Sequence, residues 1–161
     1  MIWRIIAWIV SRPLLANWLI LRAHRTPYSH IESLDGTSVY MRRWWLFNPY
    51  FFTPGLRRFS FCPISIRVHH ILRADQDMHL HDHPWNARTI VLMGGYVEER
   101  DDGTVAIRTQ GSTAPLRYGR FHRIAAVDET QGAVTLFITG RKQGTWGFKI
   151  PYREYLAERG G

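Results

Sequence analysis

One cysteine, Cys62, stands in a chain of 161 residues. A single thiol excludes an internal disulfide framework and any zinc site built on several cysteines, and it fits a reducing cytoplasm. Between Phe61 and Pro63, ahead of an apolar segment, Cys62 is expected to be a small buried residue. Lysine is almost missing, two against nineteen arginines. No apolar run is long enough to span a membrane: Met1–Val10 is apolar, but Arg4, Arg12 and Pro13 interrupt it short of the ~20 residues required. Nor does Asn17-Trp18-Leu19 supply the small-residue cleavage site of a secretory signal. Gly94-Gly95 lacks the pattern of a phosphate-cradling loop. There is no nucleophile elbow, internal repeat or low-complexity tract.

Acidic residues are scarce in one part only. Residues 1–73 hold ten Arg against Glu32 and Asp35, whereas nine Arg and two Lys balance eleven acids in residues 74–161. The whole net charge of +8 therefore belongs to the N-terminal part. Such a surface suits an acidic partner, whether nucleic acid, anionic membrane or acidic protein, and equally describes a solvated arginine-rich face.

What is present describes one globular domain with a core: 45% of residues are hydrophobic and 21% charged. The 22 aromatics (7 Trp, 7 Tyr, 8 Phe) are enough to line a pocket or contact surface as well as fill a core. Residues 1–24 read as two short helices, the second from about Pro13 to His24, with Ser11 as N-cap and Pro13 in its first turn. Packing on the domain is the expected arrangement. The alternative is an interfacial helix with Trp3 and Trp8 as anchors and Arg4 and Arg12 near lipid phosphates.

Residues 27–38 read as loop, with a turn at Asp35-Gly36. Val39–Phe47 is a strand ended by Asn48-Pro49, and Thr53-Pro54-Gly55 is another loop. From Ile64 onward short strands follow one another. Ile64, Ile66, Val68, His70 and Leu72 alternate with Ser65, Arg67, His69 and Ile71, so alternation turns His70 inward and His69 outward. Asp75-Gln76-Asp77 is a turn, Thr89–Met93 and Tyr96–Arg100 are strands parted by Gly94-Gly95, and Asp101-Asp102-Gly103 is a hairpin signal. Further strands are expected near Leu116–Tyr118, Phe121–Val127, Ala133–Thr139 and Thr145–Ile150. About eight to ten such strands indicate an antiparallel sandwich or barrel.

The main functional signal is His79-Leu-His81-Asp-His83, followed by Pro84-Trp85, with His122 some forty residues later. On a strand, positions i, i+2 and i+4 share a face, so the three imidazoles would project together as ligands to one metal ion. Asp82 then points to the other face as an ion-pair or turn acceptor, and Pro84-Trp85 ends the strand.

His81-Asp82-His83, an apolar strand ending at Gly95, and Gly119-Arg-Phe-His122 resemble the two signature motifs of the cupin superfamily. The resemblance covers roughly residues 60–150. It implies a cupin-like double-stranded β-helix (jelly-roll) barrel with a short N-terminal helical extension, and one divalent transition metal (iron, manganese, zinc or nickel). His81, His83 and His122 are the implied ligands, with His79 in reserve. The motif glutamate falls on Arg88, which cannot ligate a metal. Two accounts follow: a three-histidine site with Arg88 binding an anionic substrate beside the metal, or a decayed site that binds a ligand or partner without metal. Trp85 at the barrel mouth and His70 complete the implied substrate site.

Tyr40-Met-Arg42-Arg43-Trp44-Trp45-Leu-Phe47 interleaves aromatics with arginines, the composition of a base-stacking surface or of an edge strand whose arginines cover their neighbours. That run, His-Asp-His-Pro-Trp and Gly-Thr-Trp-Gly-Phe are also similar to small cupin-like proteins of phages and prophages. The expected organisation is a basic extension over 1–58 packed on a barrel over 59–161. The expected function is that of a metal-dependent oxygenase or isomerase acting on a small anionic substrate. The alternative is a non-catalytic or virion-associated module contacting nucleic acid or protein through Arg42, Arg43, Trp44 and Trp45. A homodimer follows from the resemblance alone.

Overall fold

A computed structural model describes residues 1–33, 36–49, 57–75 and 79–149. The expected turns at Asp35 and at Gln76-Asp77, the loop at Thr53-Pro54-Gly55 and the strand end at Ile150 lie outside the described residues.

Among the described residues two helices, α1 (Ile2–Val10) and α2 (Pro13–His24), precede ten strands. The strands are β1 (Ile31–Glu32), β2 (Val39–Phe47), β3 (Ser65–Ile71), β4 (Leu80–His81), β5 (Trp85–Arg100), β6 (Val105–Thr109), β7 (Thr113–Leu116), β8 (His122–Val127), β9 (Ala133–Lys142) and β10 (Phe148–Lys149). All pairings are antiparallel, in the order β1-β2-β3-β9-β5-β8-β4-β10, with β6 and β7 also on β5. The sheet begins on the N-terminal side of residue 58, because β2 pairs with β3 along its length.

The expected strands at Thr89–Met93 and Tyr96–Arg100 are one strand of 16 residues, and Trp85 opens it instead of ending the histidine segment. Its first half pairs with β9 and β7, its second with β8 and β6, so β5 passes from one wall of the barrel to the other. The bend lies at Gly94, whose φ of +68° suits only glycine. A Cβ there would stand 1.9 Å from the Gly132 carbonyl oxygen, so the bend also needs the closest approach of two backbones. Asn48, with φ +50°, ends β2 as expected. Its buried amide donates to the carbonyls of Phe59, Cys62 and Ile64 at 3.3, 3.1 and 2.8 Å, pinning the return toward β3. Cys62 itself is only half-buried.

The helices cover the outer face of the β2-β3-β9-β5 wall. Ala7, Ala16 and Ala23 face inward and form one cluster with Val68, Ile90, Leu92, Val134 and Leu136. Fully buried side chains such as Ile90 and Leu92 each contribute about 1.5–3 kcal/mol by burial. Arg12, not Ser11, occupies the N-cap of α2, and the Ser11 hydroxyl donates to the Trp8 carbonyl at 3.3 Å.

This covering sets which face of each strand is apolar. In β3 the apolar Ile66 and Val68 meet the helices, while Arg67, His69 and Ile71 face the barrel interior. Sequence alternation was right in period and inverted in face. His70 therefore lies outside the pocket, its Nε2 donating to the Gln131 carbonyl at 2.9 Å.

Candidate metal centre and anion pocket

A cavity of about 310 Å³ runs through the barrel, and His81, His83 and His122 stand together on its wall. His81 lies on β4 and His122 opens β8, and the two are direct cross-strand partners. His83 follows β4, just before β5. The regular strand covers only Leu80–His81, so the segment 79–83 does not present three histidines on one face. The two motif histidines nevertheless meet the distant one. Each of the three offers a ring nitrogen within 4.8 Å of the others, and Nε2 of His83 and His122 are 2.9 Å apart. His79 is not in this group.

One carboxylate stands directly behind His122, and a second lies farther from His81. Glu98 is fully buried, with its Oε1 3.2 Å from His122 Nδ1. Asp75 Oδ2 stands 3.9 Å from His81 Nδ1. At 3.2 Å the Glu98 carboxylate favours a proton on His122 Nδ1 and leaves that ring's Nε2 toward the cavity, the usual support of a metal-bound imidazole. Glu98 is held in turn by Arg108 at 2.6 and 2.8 Å and by Arg100 at 2.9 and 3.1 Å. Burial alone would raise its pKa. The hydrogen bonds from His122 and Arg108 and the charge of Arg100 outweigh that and hold it at about 2.

Burial, then the neighbouring His122 and His81, push the pKa of His83 well below the ordinary histidine value. Its imidazole is thus kept neutral, the state that ligates a metal. The donor set fits an imidazole-binding divalent ion. His83 and His122 share a hydrogen bond between their Nε2 atoms at 2.9 Å, and with His81 these are the residues that would hold such an ion.

Asp82 behaves as the expected turn acceptor. It is buried, and its two oxygens accept the amides of Gly147 at 2.7 Å and Gly119 at 3.0 Å, tying the β7–β8 and β9–β10 connections to the histidine segment. Rings close the site: Trp146 lies 4.7 Å and Phe137 5.3 Å from His83, centroid to centroid. Trp85 lines the cavity as expected.

Arg88 does not line the cavity. The alternation of β5 sends Trp85 and Thr89 inward and turns Arg88 out against α1, where its guanidinium lies 4.6 Å from the Trp3 ring and donates to the Thr113 hydroxyl at 3.2 Å. Arg67, which alternation places outward, is instead an interior cation. It is 3% exposed, lines the same cavity as the histidines, and its guanidinium is 5.0–5.2 Å from the ring centres of Trp85, Trp45 and Phe137. Arg43 and Arg73 line the cavity too, against Glu32 and Asp75. Asp75 is occupied, since Tyr40 donates to Oδ1 and the Ile124 amide to Oδ2. Burial, and then the charge of Asp75, push the Tyr40 hydroxyl pKa far upward, so it remains a donor.

The expected base-stacking surface is dispersed. Trp45 is buried, Trp44 packs against the core under α2 with its ring 4.3 Å from His24, and Arg43 bonds the Ser29 carbonyl and hydroxyl at 2.7 and 3.1 Å. Of the four, Arg42 alone is exposed.

Sequence reasoning missed Glu98, Arg67 and His69. The period of β3 joins Arg67 and His69 on one face, a signal that became readable only once the other face was known to be covered. No sequence pattern set Glu98 apart from Glu99.

No protein-family model matches the chain, and no curated protein is similar to it in sequence. Its fold is similar to a cupin-2 domain from Rhodospirillum rubrum, with a TM-score of 0.53 and 12% identity over 83% of this chain and 80% of that one. It is also similar to an Fe(II) form of HppE, with a TM-score of 0.50 and 15% identity. That match covers 69% of this chain and 55% of the other. The chain therefore has a cupin-like jelly-roll fold.

Proposed function

We propose that the chain holds one divalent transition metal through His81, His83 and His122 and acts on a small anionic substrate as an oxygenase or isomerase. The convergence of three histidine nitrogens on the cavity wall, with Glu98 fixing His122 from behind, carries this reading. Iron, manganese, zinc and nickel all suit imidazole ligands, and the Fe(II) form of HppE, which shares the fold, favours iron. When bound, the ion supplies Lewis-acid or redox chemistry at its open positions.

The chain's own residues do the rest. Arg67 takes the carboxylate or phosphate of the substrate, the role that sequence counting gave to Arg88. Trp85, Phe137 and Trp146 exclude water from the region between that anion and the histidines. Elemental analysis of the purified protein tests the metal. Stoichiometric metal in the wild type that is lost in both His81→Ala and His122→Ala is the expected result. A wild type that is metal-free and cannot be reloaded with any of the four ions overturns the proposal.

A further inference from the structure

Helices α1 and α2 pack on the barrel through Ala7, Ala16 and Ala23 with Ile6, Val10, Leu19 and Ile20 beside them, and turn a second set of large apolar residues to solvent. Met1, Ile5 and Trp8 form one stripe, and Leu14, Trp18 and Leu21 the other. Both follow the i, i+4, i+7 spacing that normally marks a core-facing side. These six are between 51% and 100% exposed. Both helices lie on the same outer face of the sheet through Ala7, Ala16 and Ala23, so both stripes point away from the barrel, on the side opposite the metal centre.

Single exposed apolar residues need no explanation, but a contiguous set does. Neither helix alone is long and apolar enough to cross a bilayer; together they have the length and composition, but their axes diverge by 79° at the Ser11-Arg12 break. Such a pair suits lying on a surface.

Charge selects the surface. Residues 1–31 contain Arg4, Arg12, Arg22 and Arg25 and no acidic residue. Arg4 and Arg22 lie beside the stripes and are exposed, and the Arg12 guanidinium sits 3.8 Å over the Trp8 ring. A second copy of the chain docked on this face would bring eight arginines together without an anion, whereas acidic headgroups supply the opposite charge. Indoles at Trp8 and Trp18, each 59% exposed, match the preference of tryptophan for the bilayer interface.

We propose that α1 and α2 form a monotopic anchor. It seats the barrel on an anionic membrane surface, with the two apolar stripes in the headgroup–acyl boundary and the arginines on lipid phosphates.

Co-sedimentation of the full chain with vesicles tests this. One set is phosphatidylcholine alone, and the other contains about one-third phosphatidylglycerol, a strongly anionic surface. Binding to the anionic vesicles that weakens with salt is expected. Trp8→Ser combined with Trp18→Ser should weaken it by at least about tenfold through lost apolar burial. Arg4→Gln with Arg22→Gln should weaken it by roughly tenfold on anionic vesicles only. The substituted side chains are exposed, so melting curves should be unchanged. Leu14→Ser with Leu21→Ser supplies a second apolar pair should the tryptophan variant fold poorly. Absence of binding to anionic vesicles at low salt overturns the proposal, as does wild-type binding by both apolar pairs. A wild-type dimer that the tryptophan variant converts to monomer, with no vesicle binding by either, assigns the face to a second copy instead.

Discussion

His122 points its Nδ1 at Glu98 Oε1 across 3.2 Å, and Glu98 is fully buried between that ring and two arginines. The carboxylate is not a ligand candidate in the three-histidine group. It fixes the tautomer and orientation of one that is.

Replacing it should therefore act on the metal through His122. Glu98→Gln is expected to lower metal affinity by ~10–100-fold, the usual cost of losing such a support. The same variant should lower the melting temperature, because Arg100 and Arg108 are left beside a neutral amide. Competition titration against a chelator of known affinity reads the first effect. Unchanged metal affinity in a folded Glu98→Gln protein would show that the carboxylate is structural only.

Arg67 and Arg88 make a paired comparison. Arg67→Met keeps a long side chain among the rings of Trp85, Trp45 and Phe137 but removes the charge. Small carboxylates or phosphates are expected to stabilise the wild type thermally, and Arg67→Met should abolish that effect. Arg88→Gln, whose parent side chain packs on Trp3, should leave that stabilisation intact. The reverse outcome would return the anion site to Arg88.

Acid should weaken the fold in two windows. Burial, then the charges of Arg67 and Arg43, push the His69 pKa well below 6.5 in the folded chain. Below about pH 6.5 the unfolded chain takes up a proton that the folded one refuses, so stability falls as pH drops. Glu98 has the opposite charge but the same outcome. Its folded pKa of about 2 lies below the ordinary 4.5, so its contribution is complete above about pH 4.5 and is lost as pH falls toward 2. That shift corresponds to on the order of 3 kcal/mol. Urea midpoints measured across pH should show both declines. His83, whose pKa is lowered in the same way, shares the upper window, so His69→Phe, which keeps the stacking on Phe137 at 4.8 Å, should shrink the upper decline without removing it and leave the lower one unchanged.

Two glycines with similar backbone angles should respond differently to alanine. Gly103 has φ +81° and open space around it, so Gly103→Ala meets only the left-handed strain of about 1–2 kcal/mol. Gly94 has φ +68° and the Gly132 carbonyl in the way. Gly94→Ala should cost more than about 3 kcal/mol and loosen both walls of the barrel, since β5 turns between them there. Chemical denaturation of the two variants tests this, and equal losses would discount the backbone approach.

The fold class was legible because period-two alternation and turn residues are local. Val39–Phe47 and Pro13–His24 have the bounds their residues suggest, since Asn48-Pro49 and Thr26-Pro27 stop them by chain geometry. The merger of two expected strands into β5 was not legible. A glycine pair reads as a turn, and only the β9 and β8 neighbours on either side carry the strand through the bend.

By itself the sequence determined the period of the longer strands, the histidines that two motifs make ligand candidates, and the confinement of excess positive charge to the N-terminal part. Only the tertiary structure decided which side of each strand is inside. Apolar residues normally mark the interior, but here helices α1 and α2 give the outer face an apolar cover as well, and the interior holds charged and imidazole side chains among its apolar and aromatic ones. Arg67 and His69 therefore face inward while His70 and Arg88 face outward. The helices obey the same inversion, burying their alanines and leaving tryptophan and leucine to solvent. Periodicity is written in one segment, whereas the identity of the buried face depends on which other segment lies against it.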